Sequence, residues 1–215
     1  ARSRRHPGGD VLFEYYSYRP GQLRRWHPGT ETRLVGGAPE YQGLRGYVTE
    51  GDDAWVPLSG LDPAQDRLET TIDLLERTAG RPAEFACFGR HEWAMVHGLE
   101  QDEVRHSAWP LRVTSEVIHD VVTTTPLACT HFDAFRFYTP SARPLNIMQP
   151  TRESQAALEQ PGCLHAGMDL YRWAFAFSPW IASDVVVDCF LLARDIREVD
   201  MRVAPYDLSD LGIEP

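Results

Sequence analysis

The chain holds eight histidines and thirty-one Asp and Glu residues, and a few short segments bring the two types to useful spacing. In Thr130-His131-Phe132-Asp133, His131 and Asp133 are two apart. On a strand they project to one face about 7 Å apart, where they can share a water or a metal. The packing alternative has Asp133 holding Arg136. In Cys163-Leu164-His165-Ala166-Gly167-Met168-Asp169, His165 and Asp169 are four apart and share one face of a helix. That pair supplies a base with its orienting carboxylate, two metal ligands, or simply helix packing. His91 and Glu92 are neighbours in Gly89-Arg90-His91-Glu92-Trp93. Adjacent side chains point to different faces, so these two need partners from distant segments. Asp184, Asp188 and Asp195 form an acidic stripe for which Arg172 is an expected partner. Arg24-Arg25-Trp26-His27 and Tyr15-Tyr16-Ser17-Tyr18-Arg19 mix basic and aromatic groups that hold a phosphate, stack on a flat ring, or pack against the body.

Other chemistries are excluded by what is missing. All 21 basic residues are Arg and none is Lys, which removes lysine nucleophiles, Schiff bases and the phosphate-loop lysine. No glycine-rich phosphate loop, HExxH or GxSxG is present, which argues against a kinase, an ordinary zinc protease and an α/β-hydrolase. The four cysteines lie far apart without a CxxC, so they read as buried reduced thiols. No stretch approaches the roughly 20 apolar residues of a membrane span and nothing reads as an export signal. The expectation is a cytoplasmic protein with no membrane partner. The formal net charge is -10, yet residues 1–33 carry seven Arg against three acids. An acidic body repels an extended nucleic acid, while the basic segment suits self-docking or a contact with a second copy.

The expected organisation is a basic, aromatic-rich arm and docking segment over 1–33, followed by a single α+β body over 34–215. That body is expected to hold central antiparallel or mixed strands and a helical C-terminal half. Asp62-Pro63 opens a helix in which Leu68, Ile72, Leu75 and Ala79 recur, and Gly80 ends it. Residues 43–57 read as a surface loop. His131 to Tyr138 reads as the clearest strand, and Trp109 to Val113 as another. Residues 117–122 suit either a strand or a short helix. Leu164 to Phe177 and a segment capped by Ser183 or Asp184 read as two buried helices, the second wetter through Arg194, Arg197 and Glu198.

Several long runs together resemble an actinobacterial family commonly labelled 3-methyladenine DNA glycosylase. They are Phe13-Glu14-Tyr15-Tyr16-Ser17-Tyr18-Arg19-Pro20, Leu23-Arg24-Arg25-Trp26-His27-Pro28-Gly29, His91-Glu92-Trp93-Ala94-Met95-Val96 and Cys129-Thr130-His131-Phe132-Asp133-Ala134-Phe135-Arg136-Phe137. Glu159-Gln160-Pro161-Gly162-Cys163-Leu164-His165 and Ala193-Arg194-Asp195-Ile196-Arg197-Glu198 complete the set. The resemblance implies cleavage or binding of a purine-like base. The chain departs from better-known glycosylases in having no readable helix-hairpin-helix and an acidic body.

The leading expectation is an N-glycoside hydrolase for a small molecule or a single flipped base, with no cofactor required. Asp133 activates water, His131 or His165 donates the proton and Asp169 orients it. Arg25, His91, Glu92, Trp93, Trp109 and Arg136 line the substrate. The alternative is a metal-dependent enzyme on a small acidic or phosphorylated substrate, its divalent ion held by His131, Asp133, His165 and Asp169 with His91 and Glu92 in the wider pool. A third reading is a non-catalytic binding protein or homo-oligomeric scaffold. Burying either His–Asp pair unpaired is costly, so the two are expected to converge on one pocket, a His nitrogen within about 4 Å of a carboxylate from the other segment.

Overall fold

A computed structural model of the chain describes Leu12, Tyr16, Tyr18 and residues 20–215. Among these residues the helices in chain order are α1 (Ala38–Tyr41), α2 (Gln65–Ala79), α3 (Arg90–Ala94) and α4 (Ser115–Thr124). They continue with α5 (Phe132–Phe135), α6 (Gln155–Leu158), α7 (Leu164–Ala176) and α8 (Ser183–Val203). Strands β1 (Val48–Glu50) and β2 (Asp53–Trp55) pair antiparallel, with Val48 opposite Trp55 and Glu50 opposite Asp53. The fold is mixed α+β, a small hairpin followed by a largely helical C-terminal half. No helix among the described residues is long and apolar enough to cross a membrane.

The chain divides into two compact units. The first includes Asp73–Gly167 and Asp195–Pro215. Its core collects Val96, Ile118, Val122, Leu127, Ala134, Phe135, Met201 and Tyr206. Ile118 and Val122 are four apart on α4 and both buried, while the adjacent Val117 points to another face and is exposed. Burying each such side chain stabilises by about 1.5–3 kcal/mol. The C-terminal segment is tied to the same core by backbone hydrogen bonds from Arg112 to Pro205 (2.9 Å) and from Asp207 to Pro110 (2.7 Å).

The second unit includes the described residues up to Ile72, together with Met168–Arg194. Leu34 exchanges two backbone hydrogen bonds with Ala54 of β2, at 2.7 and 3.0 Å. Gly51, with φ of 58°, takes the first position of the two-residue hairpin turn, where a side chain would be strained. An aromatic cluster fills the unit's interior. Tyr18 stacks on Phe175 with centroids 3.9 Å apart, and Tyr171 meets both Tyr16 and Tyr18 edge-on.

Several expected elements take another form. Residues 131–138 are not a strand: His131 caps α5, its side chain accepting the Ala134 amide, and helical hydrogen bonds follow from Phe135 to His131 and Arg136 to Phe132. The alternating pattern misleads because Ala134, Phe135 and Tyr138 are all buried, so the apolar bulk surrounds the segment. Residues 109–113 form only a single bridge, Leu111 to Tyr206. The expected loop over 43–57 contains the hairpin, whose strands are too short to show periodicity. Residues 117–122 take the helical alternative as part of α4. Asp62 and Pro63 fall in a 3-10 turn, Leu58–Ala64, that leads into α2. The expected all-round burial of the last helix fails at Val185, Val187, Leu191 and Leu192, which are exposed. Residues 1–10 of the expected basic arm lie outside the described residues.

Candidate metal centre

The site is built where α3 docks on the C-terminal end of α8, both within the first unit. Gly89 precedes α3 with φ of 69°, and a β-carbon there would overlap Val203 Cγ2. Glycine is therefore required twice, for its left-handed backbone and for the close approach. Trp93 Nε1 completes the docking by donating to the Val203 carbonyl at 2.8 Å, satisfying an end-of-helix acceptor. This approach brings the two adjacent residues of α3, His91 and Glu92, onto Asp200 of α8. His91 Nε2 lies 3.0 Å from Asp200 Oδ1 and 4.0 Å from Glu92 Oε1.

Arg197, one turn before Asp200, closes the cluster. Its Nη1 donates to Glu92 Oε1 at 2.9 Å and to Asp200 Oδ2 at 2.6 Å. All four side chains are buried, Asp200 completely. Even so, His91 Nε2, Asp200 Oδ1 and Arg197 Nε make no directed hydrogen bond. The 3.0 Å contact between His91 Nε2 and Asp200 Oδ1 is an ion pair. A buried polar atom left without a directed partner costs about 1–3 kcal/mol, unless an ion satisfies it. One imidazole nitrogen and two carboxylate oxygens, all within 4.8 Å of one another, are capable of holding a metal ion.

Electrostatics in the cluster follow from burial and pairing. Burial disfavours the charged imidazole of His91, but the carboxylates of Asp200 and Glu92 outweigh it and raise the pKa to about 9. Burial would raise Asp200, and the charges of His91 and Arg197 instead hold its carboxyl well below the usual range. His165 packs edge-on against His91 with ring centroids 4.4 Å apart. Burial, then the neighbouring His91 and His131, push its pKa well below the ordinary value. Cys163, expected to be an inert thiol, is pushed up to about 12 by burial.

The structure places the other expected site residues as follows. His131 lies beside His165, with centroids 5.3 Å apart, so these two histidines do share a neighbourhood. The carboxylate that His131 Nε2 faces is Glu159, at 3.3 Å, which also accepts from Gln155 at 2.6 Å. Because His131 Nδ1 accepts the Ala134 amide, the ring proton sits on Nε2 and points to Glu159. Asp133 is buried against Arg136 (3.3 Å) and Arg152 (3.2 Å). Asp169 belongs to the second unit, where it accepts from the Tyr16 hydroxyl at 2.9 Å and pairs with Arg172 at 3.5 Å. The acidic stripe Asp184, Asp188 and Asp195 is exposed. Trp93 serves the docking just described, and Trp109 packs against the core. Arg25 is exposed and donates to the Glu40 carbonyl at 2.9 Å.

Asp200 and Arg197 escaped the sequence reading, and the expectation of a wet α8 around Arg197 is wrong because that residue is buried. A signal for them existed. Val186, Ala193, Arg197, Asp200 and Ala204 recur at helical spacing, so two charged residues continue the buried stripe of the helix. The pairing of Glu159 with His131 carried no local signal, since the two lie 28 residues apart. Comparison with known protein families, with curated proteins and with solved structures finds no match.

Proposed function

We propose that this chain is a metal-dependent enzyme whose divalent ion is held by His91 Nε2, Glu92 and Asp200. The observation that carries this reading is the buried His/Glu/Asp cluster with ligand atoms within 4.8 Å, two of which lack a directed partner. One nitrogen and two oxygens suit manganese, iron(II) or zinc better than an all-oxygen site would. Bound there, such an ion supplies Lewis acidity toward an anionic oxygen or a water. Arg197 positions both carboxylates from one guanidinium and offsets part of their charge. His165 adds a neutral ring beside His91, and the Glu159–His131 pair lies beyond it. A small acidic or phosphorylated substrate is the class that this chemistry and the Arg197 guanidinium favour.

The hydrolase reading needs Asp133 to activate water, and its carboxylate is instead engaged by two guanidiniums. The observations therefore favour the metal centre over the N-glycoside hydrolase. Metal analysis of the protein after loading with Mn²⁺, Fe²⁺ or Zn²⁺ and extensive washing tests it. About one equivalent in the wild type and a loss of at least tenfold in affinity in Asp200→Asn is expected. Binding in the variant equal to wild type would place the ion elsewhere and sink the assignment.

A further inference from the structure

The second unit contains a cavity of about 440 Å³, within the size range of small-molecule sites. One wall is Trp180, fixed by a hydrogen bond from its Nε1 to the Pro57 carbonyl at 3.1 Å. A β-carbon on Gly46 or Gly60 would stand 3.1 or 2.9 Å from this indole, so glycine at both lets the backbone close around it. Two guanidiniums border the cavity. Arg45 lies over the Trp180 ring at 5.5 Å and Arg67 over Phe177 at 5.3 Å. Among the described residues neither is paired with a carboxylate. Stacking occupies the flat face of a guanidinium and leaves its in-plane N–H donors directed outward, which is the geometry that receives a phosphate. Leu61, Ala64 and Ala176 make the remaining surface apolar.

We infer that this cavity binds a small phosphomonoester with an apolar body, its phosphate held between Arg45 and Arg67. Two unneutralised cations call for a dianion, and charge-assisted bonds to phosphate are stronger than those to a neutral acceptor. A cavity of this volume is several times larger than a bare phosphate, so the apolar wall takes the organic part. No residue of the metal cluster lines it, and the inference does not rest on that reading.

Calorimetric titration of the full chain with phenyl phosphate, inorganic phosphate and benzoate tests the site. Phenyl phosphate should bind one to one with Kd below about 1 mM, and the other two at least tenfold more weakly. Arg45→Gln and Arg67→Gln should each weaken phenyl phosphate about tenfold or more with unchanged Tm, since both side chains are exposed. Ala64→Phe keeps both charges but fills the cavity, and should abolish binding. Lack of saturation by about 10 mM would overturn the proposal, as would equal affinity for phosphate alone or binding unaffected by the three substitutions.

Discussion

When no cation is present, His91 carries a proton beside Asp200 and Glu92. Burial opposes that charge, yet the two carboxylates lift the pKa to about 9. Coordination through Nε2 requires this proton to leave. Affinity for Mn²⁺ should therefore rise about tenfold per pH unit from pH 6 to 8 and level off above 9. Titrations in buffers of different ionisation enthalpy would show one proton released per ion; a constant affinity with no proton release would remove His91 from the ligand set. Arg197 makes a second residue-scale prediction. Arg197→Met leaves Glu92 and Asp200 facing one another without a guanidinium, and should cost about 3–5 kcal/mol in chemical denaturation of the metal-free protein. A cost under about 1 kcal/mol would mean that the cluster relaxes without it. His91 and Glu92 were legible as a pair lacking partners. Asp200 was not, because a buried carboxylate on a long helix looks in one dimension like any surface acid.

At the scale of elements, everything depends on how closely α3 approaches α8. Gly89→Ala adds a β-carbon where Val203 already sits, on a backbone of positive φ, and should destabilise by about 3 kcal/mol. Val203→Ala in the same protein removes the overlap with Cγ2 but keeps a β-carbon 2.9 Å from the new one. It should therefore recover only part of the steric cost and leave more than the backbone cost of about 1 kcal/mol. Thermal unfolding of the four proteins in this cycle measures both; strict additivity would show that the two residues do not meet. The longer helices were legible because α2 and α8 are long enough for apolar residues to recur at helical spacing. The four- and five-residue helices were not. In α5 the decisive contact is a histidine accepting an amide three residues ahead, a local geometry that alternation of Phe and polar residues disguises as a strand.

For the whole molecule, two opposing titrations bound the stability of the metal-free state. The raised His91 contributes fully below its unfolded value near 6.5, and that contribution is lost as pH rises toward 9. The depressed Asp200 contributes above its unfolded value near 4 and loses that contribution as pH falls further. Stability owed to His91 and Asp200 should therefore be greatest between about pH 4 and 6.5. The depressed His165, which favours the folded state only while neutral, opposes it below about 6.5 and moves the maximum to the upper end of that window. A Tm profile that instead peaks above pH 8 would contradict the charge assignment. Saturating metal should reshape this profile. At one hundred times Kd, binding adds about 2.7 kcal/mol, or roughly 5–10 °C in Tm for a chain of this size. The gain should be largest at alkaline pH, where the proton has already left.

The absence of a side chain at Gly89 also has an evolutionary meaning. Val203 fills the space that a methyl group at position 89 would need, so the two positions form one volume shared by two residues. In related chains that retain His91, Glu92 and Asp200, position 89 should stay glycine wherever position 203 is β-branched. Drift to alanine should be confined to lineages in which 203 has shrunk to glycine, since any β-carbon at 203 would stand 2.9 Å from the new one.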